Sequence, residues 1–123
     1  MVTTVLFILF VHFVADFICQ TDGMATNKSK SLSWLTIHVC TYTPVLLAAL
    51  GFWGMYYHIP LSYMWYFGIV NGALHWVTDF FTSKLNYYLW KKEMRHWFFV
   101  GIGADQFIHY TCLLITYDKM IGF

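Results

Sequence analysis

Charge is scarce in this chain: Asp, Glu, Lys and Arg make up 11% of 123 residues, where a soluble domain of the size carries roughly 25%. The net charge of +1 and the lack of any basic cluster interleaved with aromatics exclude a nucleic-acid groove. Cysteine is nearly absent too. Cys19, Cys40 and Cys112 are odd in number, lack CxxC spacing and sit in apolar segments, so they read as small buried hydrophobes and not as disulfides or a zinc knuckle. No GxSxG, Walker or GxGxxG motif occurs. The N-terminal apolar run has no basic stretch before it and no small-residue cleavage site, and is expected to be retained as a helix.

Apolar residues fill the space that charge leaves, at 59% of the chain, with 22% aromatic. They fall into four runs, at residues 2–20, 34–53, 61–82 and 96–117, each long enough to cross a hydrocarbon core of roughly 30 Å as a helix. The expected fold is all-α, an integral-membrane four-helix bundle forming a single domain over residues 1–123. Pro44 is expected to kink the second run, and the third to continue as helix through Tyr87–Trp90 along the interface. The polar stretch Met24–Ser33 reads as a loop or short surface helix, and Lys91–Arg95 as a solvated connection. Six of the seven basic residues, all but Lys119, lie in these two segments or their flanks. The positive-inside rule therefore puts both basic loops in the cytoplasm and both termini outside, as in a bacterial inner membrane.

Within the apolar runs one pattern recurs. His12-Phe13-Val14-Ala15-Asp16-Phe17 and His75-Trp76-Val77-Thr78-Asp79-Phe80 place an imidazole and a carboxylate four residues apart, and Asp105–His109 repeats the pair in reverse order. Positions i and i+4 share a helix face, about 6 Å apart along the axis. The reversal falls on the helix that runs the opposite way, so all three pairs come to similar depth, and His38 enters the same half from the second helix. Further four-residue steps extend the seams to Gln20, Asn71 and Ser83. The His–Asp twins, 63 positions apart, suggest a weak parallel repeat of two helical hairpins.

An ionisable group inside a bilayer costs about 2.5–3.5 kcal/mol by insertion scales and marks function by default. Hydrogen bonding alone could be met by Asn, Ser or Thr at lower desolvation cost, whereas a metal needs imidazole and carboxylate. The expected metal ligands are His12, Asp16, His38, His75, Asp79, Asp105 and His109. The mixed N/O set suits zinc, or manganese or iron, better than magnesium or calcium. Asp16, Asp79 and Asp105 are the candidate catalytic carboxylates, and Gln20, Asp22, Lys28, Lys84 and Gln106 the candidate substrate contacts, with Arg95 a further cation for an anionic head group. His58 and His96 lie off the seams.

Together, His12-x-x-Ala15-Asp16-x-x-x-Gln20-Thr21-Asp22, Asn27-Lys28, His38, His75-x-x-x-Asp79 and Asp105-Gln106-x-x-His109 resemble a family of small bacterial and phage integral-membrane proteins known as DUF3307, over nearly the whole chain. That resemblance implies no activity. More distantly, H-aromatic-x-x-D is similar to the metal-binding motif of zinc-dependent phospholipase C and of membrane-bound metal-dependent hydrolases, with Thr78 and Phe80 fitting after His75. Where such phospholipases continue with Pro and a further His, this chain has Gln20 and Asp22. The expected function is a metal-dependent hydrolase of a phosphoester, on a lipid or lipid-linked substrate at the cytoplasmic leaflet. Its expected partners are membrane lipids and a second copy of the chain, with no nucleic acid. The competing classes are a small ion or proton-coupled transporter and a non-catalytic effector that binds a host protein.

Overall fold

Helix α1 (Val2–Phe13) starts the chain with twelve residues free of Gly and Pro, then widens into a π-helical turn over Val14–Ile18. The rest follows as α2 (Asp22–Asn27), α3 (Leu32–Tyr56), α4 (Leu61–Lys91) and α5 (Arg95–Met120). The computed structural model describes residues 2–120, and these are all-α, with no strand among them. The polar stretch after α1 forms the short helix α2, capped by Thr21, whose Oγ1 accepts from Met24 N–H at 3.3 Å. Helix α3 runs unbroken through Pro44, which takes one donor out of its ladder. Helix α4 continues past the expected span through Tyr87–Trp90 to Lys91.

Helices α3 and α4 end in the same device. His58 (φ 55°) and Glu93 (φ 57°) adopt the left-handed conformation just past α3 and α4. Ile59 N–H then reaches Gly54 O at 2.8 Å, and Met94 N–H reaches Leu89 O at 3.0 Å. These are Schellman closures built without glycine.

Four helices ring a common interior in the order α1, α3, α4, α5, each touching its two neighbours, while α2 packs on α3. Helix α4 comes close to α3 through Gly68 and Gly72, where a Cβ would collide with Leu47 and Thr43. At one end the interior is an apolar core that includes Ile8, Leu46, Leu50, Met64, Phe67 and Leu113. At the other end it is polar, and the two basic segments close that end together, Lys30 Nζ lying 5.4 Å from the centre of the Tyr87 ring.

Among the described residues two helices, α3 and α5, are long and apolar enough to cross a membrane; Val2–Ile18 is apolar but shorter. Helix α4, also expected as a span, carries Asn71, His75, Asp79 and a basic end, which lower its hydropathy. The cysteines are free, as expected, but Cys40 is exposed and Cys19 and Cys112 are only half-buried. The outer face of these helices is itself apolar, so apolar neighbours in sequence do not mark an inward-facing cysteine.

Candidate metal centre

The π turn sets the first carboxylate. Cys19 N–H bonds to Val14 O at 2.9 Å, spanning five residues in place of four, and Ala15 and Asp16 turn into the interior while Phe17 and Ile18 stay outside. Single π turns inside α-helices are frequent at functional sites. The sequence pattern alone implies a regular helix here; the extra residue per turn leaves no trace in apolar periodicity.

Around Asp16 gather His38 from α3 and His75 and Asp79 from α4, none more than 3% exposed. His38 Nε2 lies 3.1 Å from Asp16 Oδ1, 3.1 Å from His75 Nε2 and 3.3 Å from Asp79 Oδ2. His75 Nε2 lies 3.3 Å from Asp16 Oδ1 and 3.6 Å from Asp79 Oδ2. These five separations are five of the six edges of a tetrahedron, and the sixth, between Asp16 and Asp79, is within 4.8 Å. Four donors at the zinc–ligand distance of about 2.0–2.1 Å define a tetrahedron with edges of roughly 3.3–3.4 Å, so the donor set has the size that a small divalent ion requires.

A second group shares Asp16 and adds Asp105 and His109 from α5, with ligand atoms all within 4.8 Å of one another. His109 Nε2 is 3.4 Å from Asp105 Oδ1 and 3.1 Å from Asp79 Oδ1. Gln106 Nε2 donates to both Asp16 Oδ2 and Asp105 Oδ2, each at 3.1 Å, and Thr82 Oγ1 donates to Asp105 Oδ1. Asp79 and Asp16 each turn one oxygen toward the tetrahedron and the other toward the α5 groups.

His12, also expected as a ligand, stands outside both groups. Its Nδ1 pairs with Tyr42 Oη at 3.0 Å and its Nε2 with Gln106 Oε1 at 3.2 Å. Tyr42 is a residue that the sequence reading missed: its ring stacks on His75 at 4.0 Å between centroids. The available signal was its place four residues after His38, which continues the seam on α3. Asn71 lies on the far side of the cluster and donates to Thr116 Oγ1 at 2.8 Å.

Of the expected substrate contacts, Lys28 is the most changed by the fold. Its Nζ sits 2.7 Å from Asp79 Oδ2, with the side chain 18% exposed. Burial works against its charge, but the Asp79 and Asp16 carboxylates outweigh that and hold the Lys28 pKa above the ordinary lysine value. Gln20, Lys28 and Gln106, together with Asp16 and Asp105, line a cavity of about 520 Å³ enclosed by α2 and the adjoining ends of α4 and α5. Ser83, Asn86 and Lys30 add to its polar wall. Gln20 Oε1, Ser83 Oγ and Asn86 Oδ1 are buried there without a hydrogen-bond partner. Asp22 and Lys84 do not reach it: Asp22 is exposed in the first turn of α2, and Lys84 is exposed with its ammonium 3.6 Å from the centre of the Phe80 ring.

Residues 4–122 match the model of a family described as a protein of unknown function (DUF3307), and the chain belongs to that family. No curated protein and no solved structure matches the chain, so the comparisons return neither a phospholipase C nor another hydrolase.

Proposed function

Because membership of that family carries no activity, we propose from the site itself that the chain is a membrane-embedded, metal-dependent hydrolase acting on a phosphoester of a lipid or lipid-linked substrate. The observation that carries this reading is the tetrahedron formed by Asp16, His38, His75 and Asp79, with five of its six edges at 3.1–3.6 Å. A divalent ion, zinc by the donor set, would supply the positive charge that brings the pKa of bound water toward neutrality and polarises a phosphoryl oxygen. Asp105, outside the tetrahedron and facing the cavity, is placed to take the proton that water loses. Lys28 and Lys30 present cations to an anionic head group from the cavity wall.

The membrane setting rests on an inversion of the usual protein surface. The interior holds His12, Asp16, His38, His75, Asp79 and His109, while Phe52, Phe81, Phe99, Phe107 and many other large apolar side chains point outward. Only 11% of the residues in the apolar stretch of α5 are buried, the reverse of a soluble core helix. In this reading α1, α3, α4 and α5 all span. The basic segments around α2 and Lys91–Arg95 then face the cytoplasm, and the cavity opens at that leaflet. A transporter needs a polar path through both halves. The packed core around Leu46, Leu50, Phe67 and Leu113 closes the other half, which favours the hydrolase.

The test is element analysis of the purified full chain by plasma mass spectrometry, paired with release of phosphate or head group from phospholipid vesicles. Wild-type protein is expected to retain a divalent ion and to hydrolyse the probe only when loaded. His38→Gln should lose both properties and His58→Gln neither. A wild-type protein that binds no divalent ion with useful affinity would refute the reading.

A further inference from the structure

We infer that Asp16, Asp105 and His109 form a second divalent-cation position, sharing Asp16 with the first, and that this is the position open to solvent and substrate. The inference deepens the hydrolase reading and rests on it, but moves the water-activating role from the tetrahedron to the second position and makes Asp105 a ligand there in place of the base of a single-ion centre. The first position has a full complement of four protein donors. Of these, His38, His75 and Asp79 do not line the cavity, and all four residues are at least 97% buried. Four protein ligands describe a closed, structural site; catalytic sites keep three and leave one position for water or substrate. The second group has three donors, and two of its residues, Asp16 and Asp105, form part of the cavity wall.

The carboxylates are already divided between the two positions. Asp16 turns Oδ1 to His38 and His75 and Oδ2 to Gln106 beside Asp105. Asp79 turns Oδ2 to His38 and Oδ1 to His109. Carboxylates spanning in this way suit a pair of ions about 3.5–4 Å apart, the separation typical of two-metal phosphoester hydrolysis. Charge points the same way. With neutral imidazoles, Asp16, Asp79 and Asp105 against Lys28 leave two negative charges. Two dications turn this into two positive charges, which a phosphomonoester dianion neutralises on entering the cavity.

The experiment loads metal-free full chain in detergent with Mn²⁺, removes excess, and measures Mn per chain together with the electron paramagnetic resonance spectrum. Two ions per chain with an exchange-coupled signal are expected for wild type. Asp105→Asn and His109→Gln should each fall to one ion with an isolated six-line spectrum. One uncoupled ion in wild type, unaffected by Asp105→Asn, overturns the second position and leaves Asp105 as the general base of a single-ion centre. No bound ion overturns the hydrolase reading as well. The wild-type stoichiometry and coupling decide between these outcomes even if a variant fails to fold.

Discussion

His38 Nε2 stands 3.1 Å from His75 Nε2, and both nitrogens face Asp16 Oδ1, at 3.1 and 3.3 Å. Protons alone satisfy this arrangement poorly. If both rings carry the proton on Nε2, two N–H groups point at each other; if one does, the other ring turns a lone pair toward two carboxylate oxygens. A cation at the centre accepts all four lone pairs at once. The His75 ring is held for that role by stacking, since its Nδ1 has no hydrogen-bond partner. Tyr42 packs on it at 4.0 Å and His109 at 4.2 Å between centroids.

Metal removal should therefore destabilise the wild type and leave His75→Gln almost unchanged. An ion present at a thousand times its Kd stabilises the folded state by about 4 kcal/mol, and an amide ligates far more weakly than imidazole. Thermal unfolding in detergent with and without chelator measures the difference. Equal chelator effects in the two proteins would mean that His75 holds no ion.

The pairing was legible in the sequence because helical periodicity and the alternating helix direction put the pairs His12/Asp16, His75/Asp79 and Asp105/His109 at similar levels, and the structure brings these residues to the polar end of the bundle interior. Three features were not legible. The π turn at Val14–Ile18 adds a residue without altering the apolar pattern. Lys28 reads in the sequence as a substrate contact, yet it folds back on Asp79, 51 positions away, a contact that no local spacing encodes. His12 matched the motif as well as His75 did, but Tyr42 and Gln106 occupy its two nitrogens. Motif identity specifies which residue types are present; packing between helices decides which of them converge.

His58→Gly should stabilise the fold without touching the site. A left-handed residue with a side chain costs roughly 1–2 kcal/mol relative to glycine, and His58 holds that conformation (φ 55°) at an exposed turn. Thermal unfolding is expected to shift upward by an equivalent of about 1 kcal/mol, with metal content level. A lower melting temperature would show that the His58 side chain makes a contact worth more than the strain.

Gly72→Leu should do the opposite, and should reach the metal centre indirectly. Any Cβ at residue 72 meets Thr43, so α4 has to move away from α3. His75 and Asp79, one and two turns along, move with it, while His38 stays on α3. Overpacking of this kind typically costs 1–3 kcal/mol. Both melting temperature and metal content are expected to fall, whereas Gly103→Leu, with open space at its Cβ, should spare both.

Topology gives an independent check on the membrane reading. A reporter fused after Phe123 should report the outer side and one inserted beside Lys92 the cytoplasm, because the six basic residues around α2 and the α4–α5 turn should stay on the cytoplasmic side. Both reporters on one side would mean that α5 does not span.

Lys28→Met separates a metal-holding cluster from a purely ionic one. Without an ion, Lys28 is, among the described residues, the cation of fixed charge that faces Asp79 and Asp16, its Nζ 2.7 Å from Asp79 Oδ2. Removing one partner of a buried ion pair costs about 3–5 kcal/mol, because the other charge is left uncompensated. In the metal-free protein Lys28→Met should therefore be destabilising by an amount near the lower end of that range, since the lysine is partly exposed. With a dication bound, the carboxylates are compensated from within the tetrahedron, and the same change should cost markedly less. Methionine also removes a positive charge beside the ion, so the apparent Kd for Zn²⁺ should stay level or tighten. Asp79→Asn is a poorer probe, because it strands the Lys28 ammonium whether or not an ion is present. Unfolding of wild type and Lys28→Met, each with and without Zn²⁺, closes the cycle. A cost that is identical in both conditions would mean that Lys28 and a metal do not share Asp79, and that the ammonium itself is the cation for which the cluster is built.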